Sequence, residues 1–176
     1  AHHDVAAPDL PGFGAALPLA EPHTPGALAD AVVGHLDELG WSRPHVVGQS
    51  LGGLIALELA RRGRAMTVTA ISPAGMQRGW EDTWVRRTLR TQHRLARALR
   101  PLIPAVAANA PTRTLALGLT MARPWRADAT WTAEMVAAFA AAPAVDDAID
   151  HVGDQDTTDH LAAIDVPVTI AWGTRD

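Results

Sequence analysis

The chain has 176 residues, 48% of them hydrophobic, and a formal net charge of −4. This composition is typical of a soluble globular protein with a proper core, and the mild acidity gives no reason to expect nucleic acid or a membrane as a partner. The absence of cysteine excludes disulfides, thiolate metal sites and a cysteine nucleophile. No apolar run reaches the roughly 20 residues of a membrane-spanning helix. We therefore expect a cytoplasmic protein, and its abundant Ala and Arg-only basic residues favour a bacterial source.

The N-terminal residues predict a strand, a tight loop and then a helix. Residues 5–7 form a short apolar run, and residues 8–14 contain prolines and glycines that stop regular structure and favour turns. Apolar side chains recur at helical spacing over residues 24–39, with Pro25 near the start and Gly40 just past the end. A strand over 5–7 and a helix over 24–39 are therefore expected.

The following segments predict a parallel sheet. Residues 45–47, 66–71 and 166–172 are rich in β-branched and other apolar side chains and predict strands. Residues 51–62 predict a helix that is closed by Gly63. Strands that alternate with helices indicate a parallel sheet covered on both faces.

A long helical segment separates the last two predicted strands. Helical patterning is clear over residues 83–102 and 130–142, and strand propensity there is low. We therefore expect an α/β fold with a doubly wound, mostly parallel sheet and a helical cap. Residues 1–74 would form the first part of the core, residues 75–160 the cap, and residues 161–176 a core strand that leads to a final loop.

A short motif stands between the second predicted strand and the helix that follows it. Gly48-Gln49-Ser50-Leu51-Gly52 fits the pattern G-x-S-x-G, whose meaning depends on this strand–turn–helix context. A serine hydroxyl is a poor nucleophile unless it is exposed to a base, and a sharp turn lifts it clear of the sheet edge. The close approach of strand and helix leaves little room for a Cβ atom, a demand that is met by Gly48, Gly52 and Gly53.

This motif predicts both a geometry and a chemistry. Ser50 should have a positive φ, with its Oγ atom facing a cleft beneath the cap, and it is the candidate nucleophile. The N–H group of Leu51, at the positive end of the helix, would point to where an oxyanion develops. Phosphate loops, dinucleotide motifs and zinc signatures are absent from the sequence, so no cofactor and no metal are expected.

Three segments together resemble the α/β-hydrolase superfamily, in particular its lid-bearing branch of esterases, carbon–carbon bond hydrolases and perhydrolase-like enzymes. They are residues 5–14, residues 45–53 and residues 161–176. The resemblance implies a serine hydrolase that acts on a small carboxylic ester or a related acyl substrate. A carbon–carbon bond hydrolase and a non-catalytic ligand-binding protein of the same fold remain alternatives. Relatives with an aspartate nucleophile, such as epoxide hydrolases, are disfavoured because residue 50 is serine.

The resemblance also implies the remaining catalytic groups. Gly173-Thr174-Arg175-Asp176 matches the family's G-x-x-D turn, which makes Asp176 the candidate acid. In this family the chain order is Ser, Asp, His, so the general base is expected beyond Asp176 and the second oxyanion donor before Ala1. The sequence therefore resembles an internal fragment, which we expect to be a very poor catalyst.

Several clusters in the predicted cap admit other interpretations. An arginine-rich helix could favour an anionic membrane or a phosphate-bearing substrate, but a solvated face is the preferred interpretation, and His93 is expected to be solvated with it. A run of aspartates from residue 146 to residue 159 could suggest calcium, but the loop from Asp154 lacks the glycine and the glutamate of an EF-hand, so an acidic, solvent-facing segment is expected. Tryptophans are expected either to line an apolar pocket or to pack the cap core; they are Trp80, Trp84, Trp125 and Trp131.

Overall fold

A computed structural model describes residues 3–20, 22–152 and 161–173 of the chain. The strands are β1 (His45–Gln49), β2 (Thr67–Ile71) and β3 (Val168–Ala171). The α-helices of the described residues are α1 (Pro25–Glu38), α2 (Leu51–Arg61), α3 (Trp80–Ala98), α4 (Ile103–Ala108), α5 (Ala110–Leu117), α6 (Ala129–Ala141) and α7 (Val145–Val152). Short 3₁₀ turns cover Arg100–Leu102 and Pro124–Arg126.

The three strands form one parallel sheet in the order β1-β2-β3. Gln49 at the end of β1 and Ala171 at the end of β3 both lie beside Ile71 at the end of β2. The carboxyl ends of all three strands therefore meet at one edge. Parallel pairing with helices between the strands confirms the α/β fold class that the sequence predicts.

Helices α1 and α2 pack together on one face of the sheet. Helix α1 begins after Thr24, whose Oγ1 accepts a hydrogen bond from the Ala27 N–H at 3.1 Å, and Gly40 follows it with φ of 71°. Leu28 of α1 and Leu59 of α2 belong to one buried cluster and are 0% and 1% exposed. Burial of each contributes roughly 2 kcal/mol. The predicted bounds of both helices are confirmed to within two residues.

The opposite face of the sheet is largely exposed. Val68 and Ala70 of β2 point to the helix side and are buried, whereas Val47 of β1 is 69% exposed and Ile71 is 39% exposed. The expectation of a sheet covered on both faces is thus not met in the described residues. The reason is that α1 and α2 pack on the same side.

The strand predicted over residues 5–7 is wrong, although the loop after it is correct. These residues adopt no regular structure, and Val5 is 86% exposed. A strand requires a neighbouring strand for its hydrogen bonds, and the described sheet pairs none with this segment. The loop turns through Gly12 and Gly14, which have φ of 78° and 56°.

The helices α3 to α7 lie between β2 and β3 in the chain, as the helical patterning predicts. Helix α6 packs against α3 and α4, and α3 also contacts α7. The cap bounds at residues 75 and 160 stay a prediction, and residue 160 lies outside the described residues.

Two expectations for cap side chains are wrong. His93 is 1% exposed, and its ring lies 5.2 Å from that of Phe139. It stands one turn after Leu89, on the inner side of α3, because residues four apart share a helix face. The tryptophans neither line the cavity described below nor pack the cap core, since each is about half exposed or more: Trp80, Trp84, Trp125 and Trp131.

Candidate active site

Ser50 occupies a strained turn between β1 and α2. Its φ is 51° and its ψ is −119°, and the residue is exposed. The Ser50 N–H donates to the Ile71 carbonyl at 3.0 Å, and the Ser50 carbonyl accepts from the N–H groups of Leu54 at 3.1 Å and Ala74 at 3.0 Å. The predicted positive φ is confirmed. Such a conformation costs about 1–3 kcal/mol and persists only where the surroundings over-determine it, as these three bonds do.

The glycines around Ser50 differ in why they are needed. A Cβ atom on Gly48 would lie 2.1 Å from the Gly52 carbonyl oxygen, and one on Gly53 would lie 3.1 Å from Pro73. A Cβ atom on Gly52 would meet nothing within 4 Å in the described residues. The expected close approach is therefore correct for Gly48 and Gly53. It is wrong for Gly52, because the backbone carbonyl of Gly52 faces Gly48, whereas the position that a Cβ atom of Gly52 would take is open.

The backbone N–H of Leu51 is the first of α2. The first N–H groups of a helix have no acceptor within the helix, and they carry the positive end of its dipole. In the described residues the Leu51 N–H donates no hydrogen bond. Its geometry is compatible with the predicted role of oxyanion donor, which stays a prediction.

A cavity of about 210 Å³ opens beside Ser50. It is smaller than the 300–1,000 Å³ of sites for drug-sized ligands. Both phenylalanines of the chain, Phe13 and Phe139, form part of its wall. The rest comes from the turn between β1 and α2, which we call the elbow, from the segment after β2, and from helices α3 and α7. These residues are Ser50, Leu51, Ala74, Gly75, Gln77, Asp82, Val85, Arg86, Leu89, Val145, Ala148, Ile149 and Val152.

Polar groups are few in this wall, and none of the described residues that form it is a histidine. Asp82 and Arg86 pair within α3, with Nε of Arg86 2.7 Å from Oδ2 of Asp82. Chemically, the site offers a hydroxyl, an unpaired backbone donor and an apolar pocket. This set suits the binding of a small, largely apolar molecule next to Ser50.

Asp176, the predicted acid, lies outside the described residues, the last of which is Gly173. The strand before it does have the required position. Because Ala171 and Gln49 flank Ile71, β3 ends at the same edge from which Ser50 emerges.

A buried histidine that pairs with a partly exposed aspartate of α7 has no counterpart among the sequence predictions. His23 is 6% exposed, and both its N–H and its Nδ1 lie within 2.8 Å of Oδ2 of Asp147 on α7. Nε2 of His23 accepts a hydrogen bond from the Leu19 N–H at 3.2 Å, which leaves Nδ1 as the ring nitrogen that donates to Asp147. The backbone and side-chain hydrogen bonds from His23 lower the pKa of Asp147.

The acidic run is only partly solvent-facing. Asp147 binds His23, and Asp150 forms an ion pair with Arg90 of α3; the members from residue 153 onward lie outside the described residues. Within the described ranges no group of three or more His, Asp or Glu side chains is arranged to hold a metal ion. No described helix is both long and apolar enough to span a bilayer.

Comparison with known proteins decides the family. The sequence model of the alpha/beta hydrolase family matches residues 1–176. The chain belongs to this family. Its strained elbow and the common edge of its strands are then features of an alpha/beta hydrolase core.

Two individual relatives match shorter segments of the chain, and a solved structure matches most of it. Epoxide hydrolase EphH of Mycobacterium tuberculosis is 62% identical over 53 residues, which are 30% of this chain and 23% of the relative. A 2-hydroxy-6-oxononadienedioate/2-hydroxy-6-oxononatrienedioate hydrolase of Pseudomonas sp. is 40% identical over 52 residues, or 30% of this chain and 18% of the relative. The enol-lactonase of Burkholderia xenovorans aligns with a TM-score of 0.62 at 23% identity over 94% of this chain and 60% of its own. This chain therefore spans less than two thirds of the length of each of these proteins.

Proposed function

We propose that the protein is a serine hydrolase that cleaves a small carboxylic ester or a related acyl substrate through a Ser50 acyl-enzyme. The observation that carries this proposal is the strained, exposed Ser50 at the mouth of an apolar cavity, directly before an unpaired Leu51 N–H. The small cavity volume favours a short acyl group.

The reaction would proceed in two acyl transfers. Ser50 Oγ bonds to the acyl carbon while a base takes its proton, and the ester C–O bond then breaks as the alcohol leaves with that proton. Water next attacks the acyl-enzyme, which releases the acid and returns a proton to Oγ. The Leu51 N–H would stabilise the oxyanion of both steps by about 3 kcal/mol. In this proposal Asp176 would orient the base, as the family resemblance implies.

Serine chemistry favours acyl substrates over epoxides, even though one relative is an epoxide hydrolase. Attack of a serine hydroxyl on an epoxide would produce an ether, which water does not readily cleave. Attack on an ester produces another ester, which water cleaves. Hydrolysis of an epoxide by this chain would therefore require a different nucleophile.

Carbon–carbon bond hydrolysis is the second candidate, and the Pseudomonas relative, at 40% identity over 52 residues, favours it. Hydrolysis rates of a vinylogous diketone and a simple aryl ester, measured side by side, distinguish a carbon–carbon bond hydrolase from an esterase. A non-catalytic binding role would instead leave Ser50 unreactive toward a fluorophosphonate.

The test uses the full-length product of the native gene that contains residues 1–176. Initial rates are measured with a short-chain aryl ester for the wild type, Ser50→Ala and Ser72→Ala. Ser72 is a matched control because it also has a positive φ, 40°, and directly follows the neighbouring strand β2. Loss of the nucleophile should reduce kcat on the order of 10⁴-fold or more, with Ser72→Ala near wild type. An unaffected Ser50→Ala variant would overturn the proposal.

A further inference from the structure

The guanidinium of Arg86 is the one cationic group in the described wall of the cavity. Apolar side chains of α3 surround it in that wall, with Val85 before it and Leu89 after it. Its side chain is 21% exposed, and that of Asp82 is 31% exposed. N–H groups of a charged side chain in such a wall that are not paired within the protein are hydrated when the cavity is empty, and a ligand that displaces this water has to replace its hydrogen bonds.

Arg86 is paired on one side only. Its Nε donates to Asp82 Oδ2 at 2.7 Å, and its Nη1 donates to the carbonyls of Ile149 at 2.7 Å and Asp150 at 3.2 Å. Those carbonyls belong to the last turns of α7, the negative end of that helix. The Nη2 atom, with two N–H groups, makes no hydrogen bond in the described part of the chain. Because the guanidinium is planar, the bonds to Nε and Nη1 also fix the direction of Nη2.

The charge around Arg86 restricts which acceptor fits. Asp82 already neutralises the guanidinium, so a substrate carboxylate would meet the field of a second carboxylate within the same pair. A neutral oxygen such as that of a ketone accepts a hydrogen bond without this repulsion. A purely alkyl group would strip water from Nη2 without replacing its hydrogen bond, which sites of this kind reject strongly.

We propose that Arg86 is a specificity-determining residue that selects acyl groups bearing a neutral hydrogen-bond acceptor, such as a ketone oxygen, which Nη2 binds. This inference rests on the proposed hydrolase function. It adds a chemical class to the substrate: a short keto-acyl ester in place of a plain fatty ester.

The test compares isosteric substrates on the full-length product of the native gene. Each pair consists of a keto-acyl aryl ester and the analogue in which a CH₂ group replaces the ketone oxygen, with the ketone moved stepwise along the acyl chain. The ratio of the two kcat/KM values does not depend on how much of a variant is folded. Arg86→Met should lower this ratio about 10-fold at the preferred ketone position, as expected for one hydrogen bond to a charged group.

Arg90→Met is the matched control. Arg90 also links α3 to α7, through Asp150, but it is not part of the described cavity wall, so its ratio should equal that of the wild type. An unchanged ratio in Arg86→Met at every ketone position would overturn the proposal, as would an equal fall in Arg90→Met. A wild-type preference for a carboxylate over the ketone at the same position would also overturn it.

Binding to the Ser50→Ala variant separates this inference from the proposed function. Ether analogues, in which a CH₂ group replaces the ester carbonyl, cannot be hydrolysed whether or not Ser50 is the nucleophile, so dissociation constants for the ether analogue of each pair are measured with and without Arg86→Met. A ketone preference of about 10-fold that disappears with Arg86→Met supports the inference even if hydrolysis proves independent of Ser50. Equal dissociation constants within every pair would contradict it.

Discussion

Ser50 stores conformational strain at the point where the proposed chemistry occurs. Its φ of 51° is unfavourable for a residue with a Cβ atom, and three backbone hydrogen bonds hold it there. The strained turn places Ser50 in the wall of the cavity, and it leaves the neighbouring Leu51 N–H without a hydrogen bond in the described residues. Strain of this kind is common at functional sites.

Gly48 and Gly52 flank Ser50 symmetrically in sequence, but they should respond oppositely to substitution by alanine. Gly48→Ala places a Cβ atom 2.1 Å from the Gly52 carbonyl oxygen, and relief of this clash requires β1 and α2 to separate. We expect a loss of more than about 2 kcal/mol in the free energy of unfolding, together with loss of hydrolysis. Gly52→Ala should gain up to about 1 kcal/mol, because alanine is the better helix former.

Urea unfolding of the two variants and the wild type measures this difference. Equal stabilities of Gly48→Ala and Gly52→Ala would contradict the assignment of the close approach. A Gly48→Ala variant with wild-type activity would show that the elbow tolerates a wider separation of β1 and α2.

At the scale of elements, His23 and Asp147 join the loop before α1 to the helix that lines the cavity. The pair spans 124 residues of sequence, and the Ala144 N–H reinforces it by donating to the Gly12 carbonyl at 3.3 Å. Helix α7 provides four residues of the cavity wall. Its position, and with it the shape of the pocket, therefore depends on this connection.

The lowered pKa of Asp147 makes this connection sensitive to acid. Hydrogen bonds from His23 stabilise the carboxylate, so the pKa of Asp147 is lower in the folded chain than in the unfolded chain. The stabilisation is complete above the unfolded value, about 3.9, and is lost as the pH falls through the folded value. At neutral pH the free energy of unfolding should thus be higher for the wild type than for Asp147→Asn. This difference should shrink below about pH 4.

Urea unfolding from pH 7 to pH 2.5 provides the measurement. Glu38→Gln is the control, because the Glu38 side chain is 81% exposed and its Oε2 atom lies 3.8 Å from Nδ1 of His35, too far for a hydrogen bond. A difference between wild type and Asp147→Asn that stays constant across this range would contradict the assigned cause.

Features that depend on residues close together in the sequence could be predicted, whereas features that depend on distant residues could not. The helices α1 and α2 and the elbow are encoded locally, by capping residues, glycines and apolar spacing, and were predicted correctly. The strand at residues 5–7 was not, because a strand depends on a partner that local sequence does not reveal. The His23–Asp147 pair was missed for the same reason: an isolated histidine carries no signal for an aspartate 124 residues away. The inward position of His93 was, in contrast, readable from its spacing to Leu89.

At the scale of the whole molecule, the exposed sheet face is the feature that departs most from a finished α/β core. Val47 and Ile71 lie diagonally to each other on neighbouring strands, because Val47 pairs with Thr69 and Ile71 with Gln49, and they are 69% and 39% exposed. Exposed apolar sheet surfaces promote association. We expect residues 1–176, expressed alone, to form oligomers whose mass increases with concentration.

Val47→Thr should raise the fraction of monomer, because it keeps the β-branched shape and removes apolar area from this face. Val5→Thr makes the same chemical change at an even more exposed position outside the sheet and should have no effect. Size-exclusion chromatography with light scattering distinguishes the two variants. A wild-type chain of residues 1–176 that stays monomeric over the whole concentration range would refute the expectation.

The backbone bonds of Ser50 also constrain the order of events during synthesis. Its N–H is held by residue 71 and its carbonyl partly by residue 74, both of which are translated after it. A ribosome that has released the chain only through Gly63 has delivered the serine and its flanking glycines, but neither of these distant partners. The elbow of a nascent chain therefore lacks the restraints that hold Ser50 at a positive φ until β2 has emerged and docked. Maturation of the site is thus timed by the arrival of the neighbouring strand.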